Sequence, residues 1–303
     1  MRIYVVGSLN MDLVIQTLKY PKLGETVEGF GFMTNPGGKG ANQAVACARN
    51  GAETFMVGSV GTHFGVELVK ALTDYGVHTD YVKSIKDVSS GIALITLAER
   101  DNAIVLDAGA NAHVSTFDID DALKHAQPND FVLLQNEIPT AIVSHTLKVA
   151  KQKQLITVVN PAPARSFDKD DFRLMDYLIL NQSETEYYTG ILPTTTKEAM
   201  RATKKLVDLG VSKIIITMGS LGSFILQDEV MWVNAYPVEV VDTTAAGDTY
   251  IGAFVAQLTK GTNMNHAMHY ASAAAALAIT KKGAQQSIPS SDEVKSFMSN
   301  HQK

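Results

Sequence analysis

Short β-branched apolar runs alternating with longer amphipathic ones limit this chain more than any other feature. The opening IYVVGSLNMDL reads as a buried strand that runs into a polar turn, and ETFMVGSV, DFVLLQNE, QLITVVNPAP, DYLILNQSE and KIIITMGS repeat the pattern. Helix-like segments follow most of them, at 38–49, 64–75, 141–151 and 198–209. Strands covered on both faces lose polar alternation, and strands running the same way need a crossover, usually a helix. The expected class is therefore α/β, with a mostly parallel central sheet and helices on both faces. Ligands of such sheets bind outside the carboxyl ends of the strands. Asn10, Asp12, Glu137, Asn160, Asn181 and Thr217 all fall at such ends.

Two stretches break the rhythm. Residues 25–34 and 91–106 read as strands outside that alternation, the second as two strands with no helix between them, reversing between Asp101 and Asn102. They predict a small separate β layer able to cover the site. The expected division is a main α/β unit of residues 1–13, 37–90 and 113–303, with a β lid of 14–36 and 91–112.

With 46% hydrophobic residues the chain can bury a substantial core. A net charge of −5 with no basic stripe argues against electrostatic binding to nucleic acid or an anionic membrane. Cys47, the one cysteine, sits in an apolar helical run and reads as core. The first residues lack the length and cleavage site of a signal peptide, and the alanine-rich stretch 271–279 is too short to span a bilayer. The expectation is a soluble cytoplasmic protein. His63, His78, His113 and His125 show no metal-ligand spacing; His266 and His269 are three apart but have no third ligand near in sequence.

Two segments carry chemistry. NPGGKGAN, at 35–42, puts paired glycines and Lys39 before a helix. It is not a P-loop, which needs Ser or Thr after the lysine and glycine six positions before it; Gly40 and Met33 stand there. Nor does a GxGxxG fingerprint follow the first strand. DTTAAGD, at 242–248, opens the helical run TYIGAFVAQL. A helix starting there leaves the amides of Ala245, Ala246, Gly247 and Asp248 free to stabilise an anion. Asp248 beside them is placed to take a proton from an attacking hydroxyl, although a first-turn carboxylate is also an ordinary helix cap.

Together these segments resemble the two signatures of the ribokinase-like (PfkB) carbohydrate kinase family. The similarity runs the length of the chain, through GSLNMDL, NPAPA, NQSETE, ITMGSLGS and KKGAQQSIP. The resemblance implies transfer of the terminal phosphate of ATP to O5 of ribose, with Mg²⁺ on the phosphates. Asp248 would be the base, and the amides of Ala245, Ala246, Gly247 and Asp248 the anion hole. Asn10, Asp12, Gly38, Lys39, Asn42 and Glu137 would bind the sugar. Asn181 and Glu184 would order water and Mg²⁺, with Thr217, Gly219, Ser220, Gly222, Gly247 and Ser272 on the nucleotide. A potassium site would draw on Asp242, Thr244, Ala278, Lys281, Gly283 and Ser287, several through main-chain carbonyls. It further implies a homodimer through the lid. Asn10 with Asp12 favours a sugar with vicinal hydroxyls. Kinases for deoxyribose, fructose, a nucleoside or a sugar phosphate are the nearest alternatives, and a non-catalytic sugar or nucleotide sensor a more distant one.

Overall fold

The computed structural model describes residues 1–99, 101–226 and 230–301. Its strands are β1 (Ile3–Val6), β2 (Asn10–Thr17), β3 (Gly29–Gly37), β4 (Thr54–Val60), β5 (His78–Ser84), β6 (Gly91–Ala98), β7 (Asp101–Asp107), β8 (Phe131–Leu134), β9 (Ile156–Val159), β10 (Tyr177–Asn181), β11 (Lys213–Thr217), β12 (Ser223–Leu226) and β13 (Val230–Val233). The helices are α1 (Lys39–Arg49), α2 (Gly65–Asp74), α3 (Thr116–Leu123), α4 (Thr140–Gln152), α5 (Lys169–Phe172), α6 (Gln182–Thr189), α7 (Thr196–Asp208), α8 (Ala246–Thr259), α9 (Met264–Ala278) and α10 (Ser291–Asn300).

Among the described residues the large sheet runs β13-β12-β11-β10-β9-β8-β1-β4-β5, parallel from β11 to β5 and antiparallel at β12 and β13. Successive side chains of one strand feed opposite layers, as a period of two requires. Ile3 and Val5 of β1 join Phe131 and Leu133 of β8 under α1, α8 and α9. Tyr4 and Val6 join Val132 and Leu134 against α3, α4 and α7. Both faces are apolar, which is why these strands show no alternation in the sequence.

The topology also says where a ligand belongs. From β1 the chain moves outward to β4 and β5, then returns to place β8 on the other side of β1. Crossovers leave β1 and β8 in opposite directions, opening a crevice at their carboxyl ends.

Among the described residues a second sheet, ordered β3-β2-β6-β7, stands apart from the first. It is antiparallel except along its β2–β6 seam. Two details depart from expectation. The strand–turn reading of the first residues misses a second strand, since β2 starts at Asn10, inside the segment assigned to the main unit. Ala98 pairs with Asp101, so the reversal falls before Asp101 and not between Asp101 and Asn102.

Candidate active site

The acceptor end of the crevice is a cluster of interlocked side chains. Glu137, three residues past β8, receives hydrogen bonds on Oε2 from the Ser8 hydroxyl (2.6 Å), the Lys39 amide (3.1 Å) and the Asn10 side-chain amide (3.4 Å). Gly38, at φ +91°, caps α1 where an added Cβ would sit 2.8 Å from the Asn10 amide nitrogen. Only glycine lets the α1 start lie on the β1–β2 turn in this way. Asn10 is held from the far side by Asn111, which donates to its Oδ1 (2.7 Å) and bonds both main-chain groups of Leu9. Asp12, half-buried on β2, is pushed up to about 7 by burial and then by the charges of Glu137 and Asp248.

Asp248 lies in the first turn of α8, 8% exposed. Its Oδ2 accepts from Asn42 (3.0 Å) and its Oδ1 from Gln43 (2.9 Å), both on α1. What brings two helices this close is Gly252, one turn along α8, where a Cβ would collide with Ala46 and lie 2.7 Å from the Gln43 carbonyl. Burial opposes the charge of Lys39, yet the carboxylates of Asp248, Glu137 and Glu184 outweigh it and hold the ammonium above its ordinary value.

The phosphate end is made of main chain. Ala245 turns the chain in the left-handed region, φ +58°, and α8 begins with no side-chain cap. The amides of Ala245, Gly247 and Asp248 find no acceptor among the described residues, whereas Ala246 donates to the Thr243 carbonyl at 3.2 Å. Of the four amides expected to form an anion hole, three are thus unpaired among the described residues, and the turn through Ala245 spends the fourth. Around it a cleft is lined by Lys39, Asn160, Asn181, Glu184, Thr217, Thr243 and Ala245–Asp248. Asn181 and Glu184 form a reciprocal capping box on α6, each side chain bonded to the other's amide at 2.8–2.9 Å. Burial keeps the Glu184 carboxyl above its ordinary value against the pull of the Asn181 amide. Thr217 pairs with Asn181 in register on the next strand.

Other expected nucleotide residues lie outside this lining. Gly219 and Ser220 belong to the turn after β11, and Gly222 packs on the Val233 carbonyl with no room for a side chain. Ser272 is buried in α9, its hydroxyl donating to the Asn234 carbonyl (3.3 Å).

Beside these amides, Asp242 Oδ1 accepts from the Thr244 amide (2.9 Å) and hydroxyl (2.7 Å), and Oδ2 from the Gly283 amide (2.9 Å). Despite burial, these donors hold the carboxyl below its usual range. They join the 242–244 turn to the loop after α9, where the Ala278 carbonyl accepts from the Lys281 amide (3.1 Å) and Ser287 is buried. The Lys281 ammonium is turned away onto Glu293 (2.8 Å). A monovalent cation fits this oxygen set: Asp242 Oδ2 accepts a single hydrogen bond and the Ala278 carbonyl one, although the Lys282 charge also acts on Asp242. Among the described residues no group of three or more His, Cys, Asp or Glu could hold a metal ion.

Four residues of the cluster escape sequence reasoning: Ser8, Gln43, Asn111 and Gln135. Ser8 and Gln135 carry the signal that marked the others, a polar residue at the end of an apolar strand. Gln43 and Asn111 carry none, since only the packing of α1 on α8 and the return from the lid give them partners.

A family model described as pfkB family carbohydrate kinase matches residues 1–291. The chain is 39% identical to a ribokinase of Bacillus subtilis over 298 residues, covering 98% of this chain and 99% of that one. It is 36% identical to a deoxyribokinase of Salmonella typhi, covering 99% of each. A solved ribokinase of Arabidopsis thaliana, complexed with ribose and ATP, superposes with a TM-score of 0.90 at 31% identity, covering 98% of both chains. With a large mostly parallel sheet, a small lid sheet and a family model that spans residues 1–291, the chain belongs to the pfkB family of carbohydrate kinases.

Proposed function

We propose that this enzyme transfers the γ-phosphoryl group of ATP to O5 of D-ribose, giving ribose 5-phosphate and ADP. The observation that carries the reading is Asp248: a carboxylate anchored by Asn42 and Gln43, opening α8 between a hydroxyl-binding cluster and free main-chain amides. Asn10, Asp12, Asn42 and Glu137 orient the sugar, and Gly38 and Lys39 close its pocket. Asp248 takes the proton of O5 as that oxygen attacks in line, and the amides of Ala245, Gly247 and Asp248 hold the charge growing on the phosphoryl oxygens. Asn181, Glu184 and Thr217 face the phosphates, with Gly219, Ser220, Gly222 and Ser272 shaping the ground where the nucleoside lies. Bound Mg²⁺ would neutralise phosphate charge, and K⁺ held by Asp242, Thr244, Ala278, Lys281, Gly283 and Ser287 would act as a fixed positive charge beside the anion hole.

A coupled assay of ADP release over ribose, 2-deoxyribose, fructose and nucleosides tests the substrate. Carboxylates and amides in a dry pocket reject an analogue lacking the hydroxyl they bind, so kcat/KM for ribose should exceed that for 2-deoxyribose by roughly 100-fold or more. The reverse order would favour 2-deoxyribose, the reading that the Salmonella relative supports. No ADP release with any of these sugars would leave the sensor reading.

The lid supports a second proposal, a cytoplasmic homodimer with the lids paired over the sugars. Phe30, Phe32, Ile104, Val105 and Leu106, on the two edge strands, are each at least half exposed, more apolar surface than a solitary sheet ordinarily shows to water. Sedimentation at micromolar concentration should give a dimer; a monomer would rule it out.

A further inference from the structure

We propose that Gln43 is a positioning residue for the Asp248 carboxylate, locked in its donating orientation by Gln135, and that the pair governs turnover and not sugar affinity. The inference rests on Asp248 being the base. Gln43 is wholly buried on α1. Its side-chain amide spends one hydrogen on Asp248 Oδ1 (2.9 Å) and the other on Asn160 Oδ1 (3.1 Å). Neither acceptor leaves a choice. An ionised carboxylate only accepts, and Asn160 uses its own Nδ2 on the Ile179 carbonyl (3.1 Å), turning its oxygen toward Gln43. Gln43 must therefore present both hydrogens to this side and its oxygen to the other, where Gln135 Nε2 donates to it (2.6 Å).

The relay is not an economical way to fill a core. Gln135 is wholly buried, and its Oε1 has no hydrogen-bond partner. It is wedged against Gly7, where a Cβ would collide with it. A buried orphan acceptor costs stability, and an apolar pair of the same shape would avoid that cost. What the relay supplies is geometry. The terminal torsion of an aspartate is broad and two-fold. Asn42 alone, on Oδ2, leaves the carboxylate plane free to swing. A second donor on Oδ1, from the next residue of the same helix, removes that freedom. Asp248 itself lines the cleft, and the charged groups that it meets there are Lys39 of α1, Asp12 of β2 and Glu184 of α6. A base misplaced by a fraction of an ångström loses much of its advantage.

Near-isosteric replacements test this in a mutant cycle with Asp248→Asn. In the otherwise native enzyme, Gln43→Met should lower kcat for ribose about 30-fold and Gln135→Met about fivefold, with KM for ribose and ATP within about threefold. In the Asp248→Asn background each should change the single-turnover rate less than about twofold, since a residue acting through a carboxylate has nothing to act on once it is gone. The same loss in both backgrounds, or a raised KM at unchanged kcat, would overturn the assignment. Should Gln43→Met fail to fold, Gln135→Met decides, because its side chain does not touch Asp248. If Asp248→Asn itself turns over at the native rate, the base reading falls first, an outcome distinct from a relay that merely fails to couple.

Discussion

The two ends of the crevice are built on opposite plans. At the proposed acceptor end the polar groups are side chains: Ser8, Asn10, Asn42, Gln43, Asn111, Glu137 and Asp248 come from several parts of the chain, and nearly all are buried and bonded to one another. At the proposed phosphate end they are main-chain amides, at a helix start where Ala245, Gly247 and Asp248 have no acceptor among the described residues. Each plan suits the ligand proposed for it. Sugar hydroxyls are directional donors and acceptors, and telling one sugar from another requires fixed counterparts. A phosphoryl group in transfer spreads charge over three oxygens, and a cluster of amides at a helix start stabilises it without a side chain.

The most severe way to break this contrast is at the residue shared by both ends. Asp248→Asn should cost kcat a factor of about 10³, within the range expected for loss of a positioned base. Asn42 and Gln43 both donate to this side chain, and an asparagine offers one oxygen where they need two. One donor is then left facing an NH₂ group, so stability should also fall, by about 1–2 kcal/mol. Steady-state kinetics and denaturant unfolding report the two effects separately. Near-native turnover in the folded variant would mean that another group takes the proton.

A pair of glycines sharpens the comparison at smaller scale. A Cβ at Gly247 meets no heavy atom within 4 Å, so Gly247→Ala should leave stability unchanged within about 0.5 kcal/mol. Its methyl would stand among the free amides, and kcat/KM for ATP should fall about tenfold through the loss of one well-placed donor contact. At Gly40 a Cβ would lie 2.5 Å from the Ser8 amide nitrogen and 2.7 Å from the Gly7 carbonyl carbon, backbone that cannot step aside. Gly40→Ala should cost about 1–3 kcal/mol of stability, with activity lost in proportion to unfolding. Thermal melts alongside ATP titrations distinguish the two; a destabilised Gly247→Ala would mean that the open mouth is structural after all.

The same contrast explains what could be read from the sequence. The parallel sheet was legible because strands buried on both faces leave unbroken apolar runs, and DTTAAGD was legible because a helix start is a local event. The acceptor cluster is not local. Asn111 meets Asn10 across 101 residues and Gln43 meets Asp248 across 205, and no spacing rule reaches that far. β2 escaped notice because its polar residues Asn10 and Asp12 interrupt the apolar pattern of a strand. The Ala246 amide was misjudged because the left-handed turn at Ala245, which ties it up, occurs at a residue that gives no warning of it.

The subtlest expected effect belongs to the acceptor end alone. Asp12 is pushed up to about 7 by burial and by the neighbouring charges of Glu137 and Asp248. In the unfolded chain it would titrate near about 4, as aspartates do. Between those values the folded protein keeps a proton that the unfolded chain has released, so stability falls as pH rises through the window. The penalty is complete above about pH 7 and absent below about pH 4. Asp12→Asn removes it, and the Tm of the variant relative to the native enzyme should climb between pH 5 and pH 8 by on the order of a few degrees. Ribose binding should follow the same group, because the carboxylate only accepts hydrogen bonds while the protonated form also donates one. Calorimetric titrations should then show ribose affinity varying between pH 6 and pH 8 in the native enzyme and flat in Asp12→Asn. A Tm difference equal at both pH values would place Asp12 back in the ordinary carboxylate range, and the crowding of charge at the acceptor end would be less severe than its geometry implies.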